Sequence, residues 1–105
     1  MAWTLLIFAG FLEILWAVSL RYTEGLTNIS WGIVTILSGL ASFYCLAQAI
    51  KTIPIGTGYA VWTGIGATGT AILGIALFAE SAALPRLACM ALIVAGIIGL
   101  KLTST

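Results

Sequence analysis

The chain has 105 residues, of which 62% are hydrophobic and 7% are charged, and its formal net charge is +1. A soluble domain carries about 25% charged residues, so this composition excludes an ordinary water-soluble fold and predicts a protein that lies in a lipid bilayer. The near-neutral charge offers no basic surface for nucleic acid, and a sequence without histidine lacks the commonest metal ligand and general base.

Four long apolar segments follow one another along the chain, and each is a predicted transmembrane helix. They cover about residues 3–20, 29–50, 55–78 and 87–102 of a single transmembrane domain, 1–105. About 20 helical residues cross a hydrocarbon core of about 30 Å, so each segment is long enough to span once. The segments are continuously apolar, which favours helices over a β-barrel. The predicted fold class is an all-α membrane protein with four transmembrane helices per chain.

Short polar segments connect the predicted spans. Arg21–Gly25 follows the first span, Lys51–Pro54 the second and Glu80–Arg86 the third. Pro54 cannot continue a helix and restricts the residue before it, so it separates two spans firmly. The N-terminus lacks the basic segment and cleavage site of a signal peptide, so we expect the first span to be retained.

The basic residues are divided equally between the two sides of the membrane. Lys51 and Lys101 lie on the side of the termini, whereas Arg21 and Arg86 lie on the opposite side. The positive-inside rule therefore assigns no orientation. We interpret this balance as insertion in both orientations and hence as an antiparallel homodimer. The alternative is that other signals favour one orientation.

Small residues in the last two spans predict two further features. Ala91, Ala95 and Gly99 recur at every fourth residue, a spacing at which membrane helices approach closely, so we expect dimer packing there or packing within one bundle. Gly64 and Gly66 lie near the middle of the third span. Glycine permits a kink, so these two are a candidate conformational hinge, with close packing as the alternative.

Glu13 is the acidic residue that lies near the middle of a predicted span. An ionised side chain at a helix centre costs roughly 2.5–3.5 kcal/mol on insertion scales, so it indicates a functional site. Every Lys and Arg lies near a span end, which leaves this carboxylate without a basic partner. It can take a proton or an external cation, and competition between the two is the basis of a proton/cation antiporter. The alternative is a neutral carboxyl held by a hydrogen bond.

Aromatic and small polar residues are expected to line a cation site around this carboxylate. They lie at helical spacing from it or from one another, which places them on shared faces. A carboxylate with aromatic faces and a hydroxyl suits an organic cation. Simpler explanations are an interfacial position for the tyrosine and a hydroxyl bonded to its own helix for the serine. The candidate lining residues are Gly10, Trp16, Ser42, Tyr59 and Trp62.

Nothing in the sequence predicts catalysis or a bound metal or cofactor. It contains no nucleophile–base pair and no metal-ligand cluster, so we do not expect an enzyme. Cys45 and Cys89 lie inside apolar runs and are interpreted as small buried residues, since free cysteine behaves as a small hydrophobe.

Several stretches spread over all four spans carry a family resemblance. They are Ala9-Gly10 through Glu13, Trp16-Ala17, Ser42-Phe43-Tyr44, the runs KTIPIGT at 51–57 and YAVWTGIG at 59–66, and Gly96 to Lys101. Along its whole length the chain resembles the small multidrug resistance family. Trp16 points to the guanidinium exporters of that family, because the polyspecific drug exporters usually carry glycine there.

The resemblance implies an antiparallel homodimer in a bacterial inner membrane that exchanges protons for guanidinium or another organic cation. Glu13 of both subunits would bind substrate and protons, and Ser42 and Trp62 would hold the carboxylates by hydrogen bonds. The partners would be the cation, protons, lipid and a second copy of the chain. Gly39 stands where guanidinium exporters usually carry methionine, so a polyspecific exporter of quaternary ammonium and other hydrophobic cations is the alternative. A non-transporting membrane subunit, with Glu13 structural, is a third.

Overall fold

The computed structural model describes residues 1–103 and consists of four helices joined by short loops. The helices are α1 (Ala2–Tyr22), α2 (Ile29–Ala49), α3 (Ile55–Phe78) and α4 (Leu84–Thr103). Each is long and apolar enough to cross a bilayer, which confirms the predicted all-α architecture with four membrane-spanning helices. The last two residues of the predicted domain, 104–105, lie outside the described residues.

Two helices extend beyond the predicted spans. α1 continues to Tyr22, so Arg21 lies in its last turn instead of in the loop. α4 begins at Leu84 instead of at about residue 87, which places Pro85 and Arg86 inside the helix and shortens the predicted third connection. Proline is accepted there because the first N–H groups of a helix have no partner within it.

A tight loop makes α1 and α2 antiparallel neighbours. Thr23 is fully buried, and its hydroxyl donates to the Leu20 carbonyl oxygen at 2.6 Å and accepts the Leu26 N–H at 3.1 Å. The side-chain oxygen of Asn28 accepts the Trp31 N–H at 3.2 Å and so caps the start of α2. The loop is therefore fixed by its own hydrogen bonds.

Small side chains hold α1 and α2 together. The hydroxyls of Ser19 in α1 and Thr35 in α2 lie 2.8 Å apart and are hydrogen-bonded. Small residues let helix backbones approach closely in a membrane, where hydrophobic burial between helices gains little over lipid. The small buried residues of α2 recur at every third or fourth position: Thr35, Ser38, Ser42, Cys45 and Ala49.

Glycines allow α3 to approach both α1 and α4. A Cβ atom at Gly10 of α1 would lie 2.7 Å from Ile65 Cγ2 of α3, and a Cβ atom at Gly64 would lie 2.8 Å from Ile97 Cδ1 of α4. A larger residue at either position would force the neighbouring isoleucine to shift. α3 is continuous from Ile55 to Phe78, so close packing explains Gly64 here, and the hinge role stays a prediction.

Ser42 connects three helices. Its hydroxyl donates to the Ala9 carbonyl oxygen of α1 at 2.7 Å and accepts the Trp62 indole N–H of α3 at 2.8 Å. Ser42 is fully buried and Trp62 is 5% exposed, so water does not replace either partner. A serine bonded to its own helix was the simpler explanation for Ser42. In the structure Ser38 forms such a bond, because its hydroxyl donates to the Val34 carbonyl oxygen at 2.6 Å.

We predict that Ser42→Ala destabilises the protein by about 1–2 kcal/mol, because it leaves the buried Trp62 N–H without an acceptor. Ser38→Ala is the matched control: it is the same substitution on the same face of α2, but the Ser38 hydroxyl bonds only within its own helix and its loss should change stability little. Unfolding of the two variants by titration with SDS measures the difference. Equal stability of both variants would contradict this role of Ser42.

Candidate functional site

Glu13 lies near the midpoint of α1, about 16 Å along the axis from the start of the helix at Ala2. Its carboxylate rests against α3 at Gly66. A Cβ atom at Gly66 would contact Oε2 and Cδ of Glu13, so a glycine at this position makes the room that the carboxylate occupies. This contact gives Gly66 a packing role, and its predicted hinge role stays a prediction.

The Glu13 carboxylate has no partner at its buried oxygen. Oε2 is buried and takes part in no hydrogen bond among the described residues. The ion pair found within residues 1–103 joins Arg86 Nη2 to Glu80 Oε1 at 2.9 Å, near the start of α4. A buried, unpaired charge costs several kcal/mol. Binding a proton or an external cation would remove that cost.

Glu13 opens into a cleft of about 310 Å³ between α1 and α3. Trp16 lies in the same cleft, so the structure brings these two predicted site residues together. A water molecule takes up about 30 Å³ in the liquid, which leaves room for a small organic cation together with water. The cleft is lined by Glu13, Trp16, Ala17, Thr63, Gly66, Ala67 and Thr70.

Two other predicted site residues, Tyr59 and Trp62, belong to an aromatic cluster near the Ala9 turn of α1. The Trp62 ring is flanked by the rings of Phe43 and Tyr59, with centroid distances of 5.3 and 5.7 Å. Tyr59 is 57% exposed, so its ring forms the open edge of the cluster. Phe43, which the sequence did not single out as a site residue, completes it.

The polar groups of this cluster bond to each other and to α1. The Trp62 N–H donates to the Ser42 hydroxyl, and this hydroxyl donates to the Ala9 carbonyl oxygen, about one helical turn before Glu13. Within residues 1–103 both donors are therefore used inside this cluster, and neither bonds to the Glu13 carboxylate of the same chain. Their bonds to the carboxylates of a two-subunit site stay a prediction. Gly10 likewise contacts Ile65 instead of lining the cleft.

The sequence prediction missed one cleft residue of α1, Ala17, and three of α3: Thr63, Ala67 and Thr70. A spacing of four and three residues places these last three on one face of α3, beside Gly66. The same spacing grouped Gly10 and Trp16 with Glu13, so the periodic signal was present. What the sequence did not show is that α3 turns this face toward α1.

The predicted dimer stripe lies on the open side of α4. None of the residues of α4 is buried, and Ala91 and Ala95 are exposed. Gly99 borders an apolar groove of about 540 Å³ between α3 and α4, together with Ala60, Gly64 and Gly96. The stripe is thus free of the bundle formed by one chain.

The remaining titratable and sulfur-bearing residues do not add a second site. Cys45 is buried as expected, but Cys89 is exposed on α4, because α4 packs mainly against one neighbouring helix, α3. Residues 1–103 contain no group of three His, Cys, Asp or Glu side chains arranged to hold a metal ion.

Sequence similarity to known proteins identifies the family of this chain. The Small Multidrug Resistance protein family model matches residues 1–93. A protein named guanidinium exporter from Yersinia pseudotuberculosis serotype I is 55% identical over 104 residues, which cover 99% of this chain and 100% of the relative. The guanidinium exporter of Escherichia coli K12 is 53% identical over 104 residues and is covered to 99%, as is this chain. The chain is therefore a multi-pass membrane protein that belongs to the small multidrug resistance family, as its sequence predicted.

Proposed function

We propose that the protein is an antiporter that exports guanidinium across the bacterial inner membrane in exchange for protons. The observation that carries this proposal is the Glu13 carboxylate, which is partly buried in a membrane-spanning helix, has an unpartnered oxygen and faces an open cleft. The relatives named guanidinium exporters, which align with nearly the whole chain, support the choice of substrate.

The cleft suits guanidinium chemically. The cation is planar and carries N–H donors on three sides, and a carboxylate accepts two such donors in parallel. Trp16 adds an aromatic ring to the same cleft, which attracts a cation through its π face. The lining residues include no lysine or arginine, so nothing in the cleft repels a cation.

Competition at Glu13 would couple the two fluxes. A proton neutralises the carboxylate and removes the charge that attracts guanidinium, so cation binding weakens at low pH and strengthens as the pH rises. When the site faces one side of the membrane at a time, inward movement of protons drives outward movement of guanidinium. The two fluxes stay coupled as long as the site does not change the side that it faces while Glu13 is charged and binds neither a proton nor guanidinium.

A second copy of the chain would complete the site. The cleft of one chain is open, α4 has no buried residue, and its small residues border an apolar groove. The equal division of Lys and Arg between the two sides supports an antiparallel arrangement of the two copies. In such a homodimer two Glu13 carboxylates would share one central cavity.

We predict that Glu13→Gln reduces guanidinium-driven proton flux in liposomes to the level of protein-free vesicles. The amide keeps the size of the side chain but neither binds a proton nor attracts a cation. Glu24→Gln is the matched control, because Glu24 is exposed in the α1–α2 loop and should retain the flux. Proton flux driven by guanidinium in folded Glu13→Gln protein would refute the shared-site mechanism.

A polyspecific exporter of quaternary ammonium and other hydrophobic cations is the second candidate. Gly39 of α2 faces Trp16, and a Cβ atom there would lie 3.8 Å from Trp16 Cγ. The missing side chain leaves space beside the indole, into which alkyl groups of a larger cation could extend. This observation favours relaxed selectivity without arguing against guanidinium.

We predict that Gly39→Met narrows selectivity by filling the space beside Trp16. Any current with tetrapropylammonium should fall by about tenfold or more, while the guanidinium current stays within about twofold. Gly32→Met is the control, since a side chain at Gly32 meets no atom within 4 Å. Currents on solid-supported membranes measure both substrates. A wild-type protein that carries tetrapropylammonium but not guanidinium would reject the first candidate in favour of the second.

A further inference from the structure

Three buried polar atoms without a hydrogen-bond partner belong to residues that line one cleft. They are Glu13 Oε2, Trp16 Nε1 and Thr70 Oγ1. Buried polar groups are nearly always hydrogen-bonded, because burial without a partner costs free energy. Their concentration in one cleft indicates a bound group that is neither a side chain nor the backbone of this chain.

The hydroxyl of Thr70 is buried without a partner, a condition that it shares on α3 with Thr68. Three helical hydroxyls of this protein donate to the carbonyl oxygen four residues earlier: Thr35 at 2.9 Å, Ser38 at 2.6 Å and Thr103 at 2.8 Å. This bond satisfies a hydroxyl in an apolar environment. Thr70 does not form it, so its hydroxyl remains available to a ligand in the cleft.

Helix geometry brings Trp16 and Thr70 to the same depth. α1 and α3 run in the same direction, and Glu13 lies against Gly66. Trp16 is three residues beyond Glu13 and Thr70 is four beyond Gly66, which corresponds to about 4.5 and 6 Å along the two axes. Both polar groups therefore lie about one turn from the carboxylate, on the side of the α1–α2 loop.

The chemistry of the three atoms matches water. A carboxylate oxygen accepts hydrogen bonds, an indole N–H only donates, and a hydroxyl does both. Guanidinium carries donors alone, so it cannot satisfy the Trp16 N–H. A water molecule can accept from Trp16, donate to Glu13 and bond to Thr70, and buried waters typically make about three hydrogen bonds.

We propose that Thr70 is a positioning residue that, together with Trp16, holds a water molecule against the Glu13 carboxylate, and that the proton reaches and leaves Glu13 through this water. A proton arriving from the aqueous side binds the water oxygen, while another proton of that water passes to Oε2. The water is regenerated, and the carboxylate becomes a carboxylic acid. This inference rests on the proposed antiport and assigns the route by which its proton arrives.

The test compares three threonine variants of the full chain in liposomes, with guanidinium-driven proton flux measured from pH 6 to 9. Thr70→Val removes the hydroxyl at nearly constant volume, and Thr70→Ser restores it. Thr68→Val is the matched control: Thr68 also has a buried, unpartnered hydroxyl on α3, but it lines a different cleft with Phe11, Ile14 and Val94.

Thr70→Val should lower the flux by about fivefold and move its pH profile upward by about 0.5–1 unit, because one lost hydrogen bond to the water leaves the charged carboxylate less well hydrated. Thr70→Ser should recover the wild-type profile, and Thr68→Val should keep it. Trp16→Phe removes the second bond to the water and should shift the profile in the same direction, which provides an independent variant if Thr70→Val does not fold.

Two results would overturn the inference in distinguishable ways. A Thr70→Val profile that matches Thr68→Val, or a loss of dimer without a change in the pH profile, would show that Thr70 does not position the proton-carrying water. Wild-type protein that is folded but shows no guanidinium-driven flux would instead remove the antiport itself, and the proton route with it.

Discussion

The constraint on which the rest of the structure depends is the carboxylate of Glu13, placed against α3 without a counter-charge. Gly66 leaves room at this contact, because a Cβ atom there would displace the Glu13 carboxylate from its position. The helix that carries Glu13 has no other charged side chain before Arg21 in its last turn. An unpaired charge in a membrane-spanning helix costs free energy, and binding of a proton or a cation lowers that cost.

The four-helix bundle must fix the positions of the site residues and still leave the site accessible to a ligand. Small residues and Ser42 fix these positions. The Ser42 hydroxyl joins three helices, because it donates to the Ala9 carbonyl oxygen and accepts the Trp62 indole N–H. α4 leaves the bundle open on one side, because it packs mainly on α3 and its small-residue side is exposed. We infer that a second chain covers this side, because apolar grooves bordered by glycine allow the close approach that holds membrane helices together.

Much of the fold follows from the sequence, because length and hydropathy define membrane-spanning helices directly. α3 has the predicted limits, Ile55 and Phe78, since Pro54 precedes it and polar residues follow it. α4 starts earlier than predicted because Pro85, taken as a break, is tolerated in a first helical turn. The depth and isolation of Glu13 were also predictable, since they depend on its position within one span and on the positions of the basic residues.

The contacts between helices were less predictable, because periodicity defines a face without showing what that face meets. Ser42 and Trp62 were expected to bond to the carboxylate; within one chain Trp62 donates to Ser42, and Ser42 donates to the Ala9 carbonyl oxygen. Thr70 was not singled out, although it shares a face with Gly66. The roles of Gly64 and Gly66 as a hinge, and of Ala91, Ala95 and Gly99 as a dimer stripe, stay predictions, since one chain in one conformation does not test them.

The most direct measurement for the shared site at Glu13 is the number of protons released when guanidinium binds. Calorimetric titration of the purified protein with guanidinium, in two buffers of different ionisation enthalpy at the same pH, gives this number. The competition mechanism predicts proton release at a pH where the carboxyl is protonated, with release falling toward zero as the pH rises and the carboxyl ionises. Guanidinium binding without proton release at any pH would contradict it, because cation and proton would then not share the Glu13 carboxylate.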